Sequence, residues 1–304
     1  MNKSGFYERL CVVLSKEQIL CNEPMDRHTT FRAGGPADYF LMPRTEQAAA
    51  VVAICNEEQM PYQIIGNGSN LLVADAGIRG AVIAFTKEAE QIRIEGNRLT
   101  AGAGALLSQA AACALREGLG GLEFAAGIPG SVGGAVVMNA GAYGGELKDV
   151  IINAKVLNAD GQIQILNTEE LDLSYRHSCI PQRHMIVLEA EFLLHTKPKE
   201  EIQALMDDLK KRRIEKQPLE YPSAGSTFKR PKGHFAGKLI MEAGLAGFTV
   251  GGAQVSEKHC GFVINKGGAT AADLMELIRQ VQLRVREHSG VELEMEVKCM
   301  GDFV

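Results

Sequence analysis

Residues 64–72 read Ile64-Ile65-Gly66-Asn67-Gly68-Ser69-Asn70-Leu71-Leu72, two apolar runs separated by small and polar residues. Glycine in such a stretch lets backbone N–H groups approach a diphosphate and lets the chain take positive φ. The Rossmann fingerprint is excluded: after Gly66-x-Gly68 the third glycine is replaced by Leu71. The following Leu71-Leu72-Val73 reads as a strand, not a helix. Gly102-x-Gly104 fails in the same way, and no G-K-[ST] of a P-loop occurs. A second glycine-rich run, Ala126-Gly127-Ile128-Pro129-Gly130-Ser131-Val132-Gly133-Gly134-Ala135, continues to Asn139-Ala140-Gly141-Ala142-Tyr143. Neither run contains an acidic residue, so both are open to a phosphate-bearing dinucleotide.

Around these runs the texture is mixed. Ala37–Met42 reads as a strand ended by Pro43. Thr45 is a plausible N-cap for a helix over Glu46–Glu58, and Pro61 introduces the strand Tyr62–Ile65, which makes a βαβ unit. Beyond residue 80, Ala81–Phe85, Gln91–Ile94 and Arg98–Ala101 are strand-like. Ser108 caps a helix that stops at Gly118, and Asp160-Gly161 joins Ile151–Leu157 to Gln162–Leu166 as a hairpin. His184–Leu194 alternates as a further strand. A charged amphipathic helix spans 200–216, Gly261–Asn265 is a short strand, and Thr270 with Asp273 forms a capping box for a helix stopped by Gly290. Glu292, Glu294 and Glu296 alternate with apolar residues, a strand with three glutamates on one face.

Composition bounds the function. In 304 residues there are 32 basic and 37 acidic side chains, a net charge of −5, with 6% aromatics and no Trp. That balance offers neither a basic nucleic-acid surface nor a stacking platform. The apolar run Leu10–Leu14 is too short for a signal-peptide core, and the uncharged 124–145 stretch is too rich in glycine to span a membrane, so no membrane insertion and a cytoplasmic location are expected. Seven scattered cysteines with no C-x-x-C fit reduced, mostly buried thiols, and the histidines have no chelating spacing, so no metal is expected.

Several segments then fall in one order: HTTFRAGGPADYF (28–40), IIGNGSNLLV (64–73), AGIPGSVGGAVVMNAGAYGGE (126–146), LDLSYRHS (171–178), PSAGSTFKRP (222–231) and EMEV (294–297). This set resembles the UDP-N-acetylenolpyruvoylglucosamine reductase family over roughly residues 28–300, in its shorter class without the tyrosine loop that closes over substrate. The resemblance implies an α+β architecture: a vanillyl-alcohol-oxidase/PCMH-type FAD-binding fold of two α+β subdomains (1–82 and 83–198) plus a C-terminal α+β substrate-binding domain (199–304). It implies flavin contacts from Gly66, Asn67, Gly68, Ser69, Asn70 and Leu71. From the second run it implies Gly127, Ile128, Pro129, Gly130, Ser131, Gly133 and Gly134, with Asn139, Gly141 and Ala142 beyond them. Positions 66–72 hold no His or Cys, which favours non-covalent FAD.

The implied reaction is NADPH-dependent reduction of UDP-N-acetylglucosamine enolpyruvate to UDP-N-acetylmuramate, in peptidoglycan precursor synthesis. An enolpyruvyl ether accepts hydride only if its carboxylate absorbs the charge, so donors and positive charge must meet that carboxylate. Arg176 matches the family's carboxylate-binding arginine, whose planar fork suits the task. Ser226 matches the proton donor, an acid weak enough to surrender its proton only to a very basic carbon. Glu296 matches the third catalytic residue. Lys216 and Arg230 are candidates for the substrate phosphates, and Tyr175 for the pocket wall. A monomer is expected. Two other readings stay open: a flavin oxidase of the same fold, and a non-catalytic UDP-sugar-binding module.

Overall fold

The computed structural model describes residues 3–303, without the side chains of Lys3 and Ser4. In chain order the elements used below are α1 (Lys3–Val13), β1 (Ile19–Pro24), β2 (Pro36–Leu41), α2 (Ala48–Glu57), β3 (Tyr62–Ile65), β4 (Leu71–Val73), β5 (Ile78–Ala84), β6 (Ile92–Glu95) and β7 (Arg98–Gly102). There follow α3 (Leu107–Arg116), α4 (Val132–Met138), β8 (Ile151–Leu157), β9 (Ile163–Asn167), β10 (Ile186–Leu193), α5 (Lys199–Lys216) and α6 (Ala236–Glu242). The last are β11 (Thr249–Val250), β12 (Ala253–Val255), β13 (Val263–Asn265), α7 (Ala271–Ser289) and β14 (Lys298–Met300).

The chain divides into two compact units, each discontinuous in sequence. The first takes residues up to Cys21, Tyr39–Asn67 and Gly80–Arg212; the second takes Asn22–Asp38, Gly68–Arg79 and Arg213 onward. Each has its own core. In the first unit Phe6, Leu10, Val51, Ile83, Leu99, Val136 and Phe192 are among the buried apolar residues. In the second, Phe31, Leu72, Ile240, Val255, Leu274 and Val285 are.

One sheet has the order β1-β2-β5-β3, and a five-stranded antiparallel sheet has the order β9-β8-β10-β7-β6. Within the first unit β3 runs parallel to β5, with Ile65 opposite Ala84, so both strands end at the same level, beside Gly66. The second unit holds the small sheet β11-β12-β13 and the parallel pair β4–β14, with Leu72 opposite Cys299.

Local chemistry accounts for the helix ends, with corrections. The helix expected over 46–58 opens with a 3₁₀ turn at Thr45–Gln47 and becomes α only at Ala48; Thr45 does not cap it. The Gln47 side chain instead accepts from the Arg44 N–H at 2.9 Å. Ser108 likewise sits inside the first turn of α3, where Gln109 accepts from the Leu106 N–H at 2.7 Å. In both places the N-cap lies earlier, at Arg44 and Leu106, and a glutamine three residues on accepts from the backbone N–H of that cap. The capping box of α7 forms as expected: Thr270 Oγ1 accepts from Asp273 N at 3.0 Å, and Gly290 ends the helix in the left-handed region.

Residues 291–297 form no regular strand; only the isolated pairing of Met295 with Phe228 occurs there, and the strand starts at Lys298. Alternation still buries Leu293 and Val297, while Glu292 and Glu294 are exposed and Glu296 is half-buried, so the three glutamates do not share one environment. The second glycine run is not one loop either. Its middle is α4, capped by Ser131, and its end is a hairpin pairing Gly141-Ala142 with Gly145-Glu146. Cys55, Cys179 and Cys260 are buried, but Cys11, Cys21 and Cys299 are exposed, so burial describes fewer of the thiols than expected. No helix among the described residues is long and apolar enough to cross a membrane.

A contact not evident from sequence ties α7 down. Asp75 accepts from the first backbone donors of the helix, Ala271 N at 2.8 Å and Ala272 N at 2.9 Å, where the helix dipole favours negative charge. Asp75→Ala is expected to lower the unfolding free energy by about 1–2 kcal/mol. Urea denaturation checks this, and a loss no greater than the scatter between replicates contradicts it.

Candidate active site

The two glycine runs meet in the first unit. Asn67 Nδ2 donates to Pro129 O at 2.6 Å, and a Cβ built on Gly66 would stand 2.1 Å from Ser131 Oγ. Only glycine lets the end of β3 approach the start of α4 this closely. Gly133 is confined in the same way, its notional Cβ 2.9 Å from Ala103 Cβ. The start of α4 and the backbone around Gly66 therefore lie against each other, and the Val132 and Gly133 N–H groups there donate to Ala105 O and Ala103 O.

The remainder of the first run, Gly68-Ser69-Asn70-Leu71, belongs to the second unit. Gly68 has φ of +61°, and a Cβ there would stand 1.9 Å from His28 O. Even alanine at this position would break the turn. Asn70 has a task that its place among glycines did not announce. Its side chain donates to Glu296 O at 3.1 Å, and its backbone carbonyl accepts from Lys298 N at 2.9 Å.

Glu296 is fixed from the other side by the serine segment. Glu296 N donates to Thr227 O at 2.8 Å, and Lys229 N donates to Glu294 O at 2.8 Å. Thr227 is the centre of this arrangement. It is 0% exposed, its N–H donates to Gly261 O at 2.9 Å, and its Oγ1 accepts from Val263 N at 3.0 Å. The segment carrying exposed Ser226 is thus held between residues 261–263 and residues 294–296, which brings the backbones of Ser226 and Glu296 together. Gly225, at φ +75°, allows the bend before Ser226. Farther along, the Arg230 guanidinium lies 3.9 Å from the centre of the Phe235 ring, and Lys216 is exposed at the end of α5.

Arg176 sits in the first unit, at the tip of a tight turn closed by Ser174 N to His177 O (3.2 Å) and His177 N to Ser174 O (3.1 Å). Its φ is +55°, a left-handed conformation that costs a non-glycine residue roughly 1–2 kcal/mol. The guanidinium carbon stands 5.0 Å from the centre of the Tyr175 ring, and Tyr175 is 48% exposed. Asn139 holds this turn. It is 0% exposed; Nδ2 donates to Ser174 O at 3.1 Å and to Glu146 Oε2 at 2.9 Å, and Oδ1 accepts from Lys148 N at 2.9 Å. The Lys148 ammonium, then Asn139 and the charge of Arg176, hold the Glu146 carboxyl below the usual carboxylate range. Sequence reading passed over Glu146, Lys148 and Thr227, since only the fold brings their partners to them.

His259 is structural. Its Nδ1 accepts from Gly261 N at 3.1 Å, its ring meets Phe262 edge-on at 5.0 Å, and burial pushes its pKa down. No cluster of metal-ligand type occurs among the described residues.

Comparison with known proteins places this geometry. Residues 217–300 match the C-terminal domain of UDP-N-acetylenolpyruvoylglucosamine reductase, and residues 36–167 match an FAD binding domain. The UDP-N-acetylenolpyruvoylglucosamine reductase of Agathobacter rectalis is 55% identical, with 100% of each chain covered. The chain belongs to the UDP-N-acetylenolpyruvoylglucosamine reductase family.

A reductase of that name from Clostridium botulinum is 56% identical over 95% of each chain. The crystal structure of the reductase from Thermus caldophilus aligns with TM-score 0.80 at 38% identity, covering 93% of this chain and 98% of that one. Phl p 4.0202, a glucose dehydrogenase, shares only the fold, with TM-score 0.51 at 12% identity over 64% of this chain. The expected α+β FAD-binding fold with a reductase C-terminal domain is borne out. Within the reductase family, then, this chain joins each glycine run to a candidate catalytic segment through one asparagine.

Asn139→Ala is expected to leave the Lys148 N–H unsatisfied and to take one donor each from the Ser174 carbonyl and the Glu146 carboxylate. The unfolding free energy should fall by about 2–4 kcal/mol in urea denaturation; a loss under about 1 kcal/mol would show the network to be dispensable.

Proposed function

We propose that this protein reduces UDP-N-acetylglucosamine enolpyruvate to UDP-N-acetylmuramate with NADPH as hydride donor and non-covalent FAD as carrier, a step in peptidoglycan precursor synthesis. The observation that carries this reading is the backbone pairing of residues 227–229 with 294–296, which holds the segment that carries Ser226 to the one that carries Glu296 in a chain of this family. The expected partition of 1–82 and 83–198 for the flavin and 199–304 for the substrate, monomeric state and cytoplasmic location belong to the same proposal.

The residues present fit the flavin. Gly66 and Gly133 allow a close approach to Ser131 and Ala103 that a Cβ would block, and the stretch of Gly66, Asn67, Gly127–Ser131 and Gly134 offers backbone polar groups and no acidic side chain. Ser131 Oγ is 3.5 Å from Gly134 N, so it caps α4 weakly and keeps capacity for a ligand. FAD held there would supply reversible hydride transfer between NADPH and the substrate's vinyl carbon.

The chain's own residues do the rest. Arg176 binds the enolpyruvyl carboxylate and stabilises the negative charge that the reduced alkene places there. The left-handed turn held by Asn139 fixes the guanidinium before substrate arrives, so little ordering remains to oppose binding. Ser226 gives its hydroxyl proton to the carbon next to the one that gained hydride. Its high intrinsic pKa prevents wasteful ionisation and matches the basicity of that carbon. Glu296 supplies a carboxyl group whose backbone Thr227 and Asn70 fix. Arg230 and Lys216 are cations for the diphosphate, and Tyr175 is an exposed ring for the pocket wall.

Ser226→Ala separates the two halves of the reaction. Reduction by NADPH should keep nearly its normal rate, since it needs no proton from this hydroxyl. Reoxidation by the enolpyruvyl substrate should slow about 100- to 10,000-fold, and Ser226→Cys should recover part of it. Anaerobic stopped-flow on each half decides: equal slowing of both makes the serine structural, and unchanged reoxidation removes it from the mechanism.

A further inference from the structure

Among the described residues, three buried side-chain polar atoms have no hydrogen-bond partner: Thr30 Oγ1, Thr86 Oγ1 and Gln217 Oε1. Buried polar atoms are nearly always paired, because an unmade bond forfeits the one that water would have given. Each exception therefore needs a cause, and the surroundings of Thr86 supply one.

β3 and β5 are parallel with Ile65 opposite Ala84, and Phe85 N donates to Ile65 O at 3.2 Å. The register carried on by two residues puts Thr86 beside Asn67, past the carboxyl ends of two adjacent parallel strands. Sheets of this kind bind ligands at that end. Here the second glycine run arrives as well, through the bond from Asn67 to Pro129 O and the close approach of Gly66 to Ser131. Residues 103–106 complete the surroundings. Gly104 packs on the Thr86 backbone, where a Cβ would stand 2.0 Å from Thr86 O. Ala103 O and Ala105 O accept from Gly133 N at 2.9 Å and Val132 N at 2.8 Å. Thr86, two residues past the end of β5, thus lies near both glycine runs, and its hydroxyl has no hydrogen-bond partner in the protein.

We propose that the Thr86 hydroxyl is a cofactor-binding group, donating a hydrogen bond to the diphosphate of the bound flavin dinucleotide. The assignment rests on the flavin reading given above. Thr30 stands in the same relation to the other half of the first run: its N–H donates to Gly68 O at 3.1 Å and its hydroxyl is likewise without a partner.

The sign of the effect on the protein without flavin separates a ligand group from a structural one. The backbone at Thr86, φ −119° and ψ −154°, is extended, so valine fits with the same branching and loses only the hydroxyl. Thr86→Val and Thr86→Ser, prepared as full-length chains and stripped of flavin, are titrated with FAD by flavin fluorescence, and their thermal midpoints are compared by circular dichroism. Thr86→Val is expected to weaken FAD binding on the order of ten-fold while its flavin-free midpoint stays level or rises, with Thr86→Ser close to wild type. Wild type that binds FAD while Thr86→Val binds it equally well overturns this assignment alone. A lower flavin-free midpoint with weakened binding that serine does not restore also overturns it, because the hydroxyl is then structural. Wild type that takes up no FAD overturns the flavin reading and this assignment with it.

Discussion

The side chain of Asn139 is the contact on which the first unit's site depends. Its amide and carbonyl are fully engaged, and one of their partners is the carbonyl of Ser174, the residue that opens the Arg176 turn. An arginine in the left-handed region does not hold itself there. The buried asparagine, with Glu146 and Lys148 around it, over-determines the turn and fixes where the guanidinium starts. Because Asn139 also ends α4, in its own left-handed conformation, the helix within the second glycine run and the arginine turn are one construction.

Asn70 repeats the device in the second unit. The same loop that contributes Gly68 donates a side-chain bond to the Glu296 carbonyl, and β4 continues the link by pairing with β14. Thr227 then ties Glu296 to the serine segment. Polar residues between glycines thus serve as braces. Glycine makes close approach possible, and the asparagine side chain turns that approach into a fixed position. A buried network of this kind tolerates loss of a member poorly, because every remaining partner would stay desolvated and unpaired.

Much of this was legible in the sequence. The Leu71–Val73 strand, the Asp160-Gly161 hairpin and the Thr270 capping box follow from local patterns, and local patterns decided them. Arg176, Ser226 and Glu296 could be singled out only through the order of several motifs. What stayed hidden has a common cause. Asn139 and Asn70 were singled out only as implied flavin contacts, and their bracing role was hidden because their partners, Ser174 and Glu296, lie 35 and 226 positions away. Thr227 looked like a neighbour of the serine, since its bond to Val263 N exists only in the fold. Thr45 and Ser108 fell inside their helices because the turns open earlier, at Arg44 and Leu106, whose N–H groups donate to Gln47 and Gln109. α4 was hidden by its two glycines, which weaken helix propensity, although Gly133 is required for the close contact with Ala103.

The central claim is that these braces serve hydride transfer to an enolpyruvyl ether and not to oxygen. Its most direct test is the absorption spectrum of the protein reduced by NADPH under anaerobic conditions, followed after addition of UDP-N-acetylglucosamine enolpyruvate. The account predicts that oxidised flavin absorption returns as the substrate is consumed. A spectrum that stays reduced until air is admitted would contradict it.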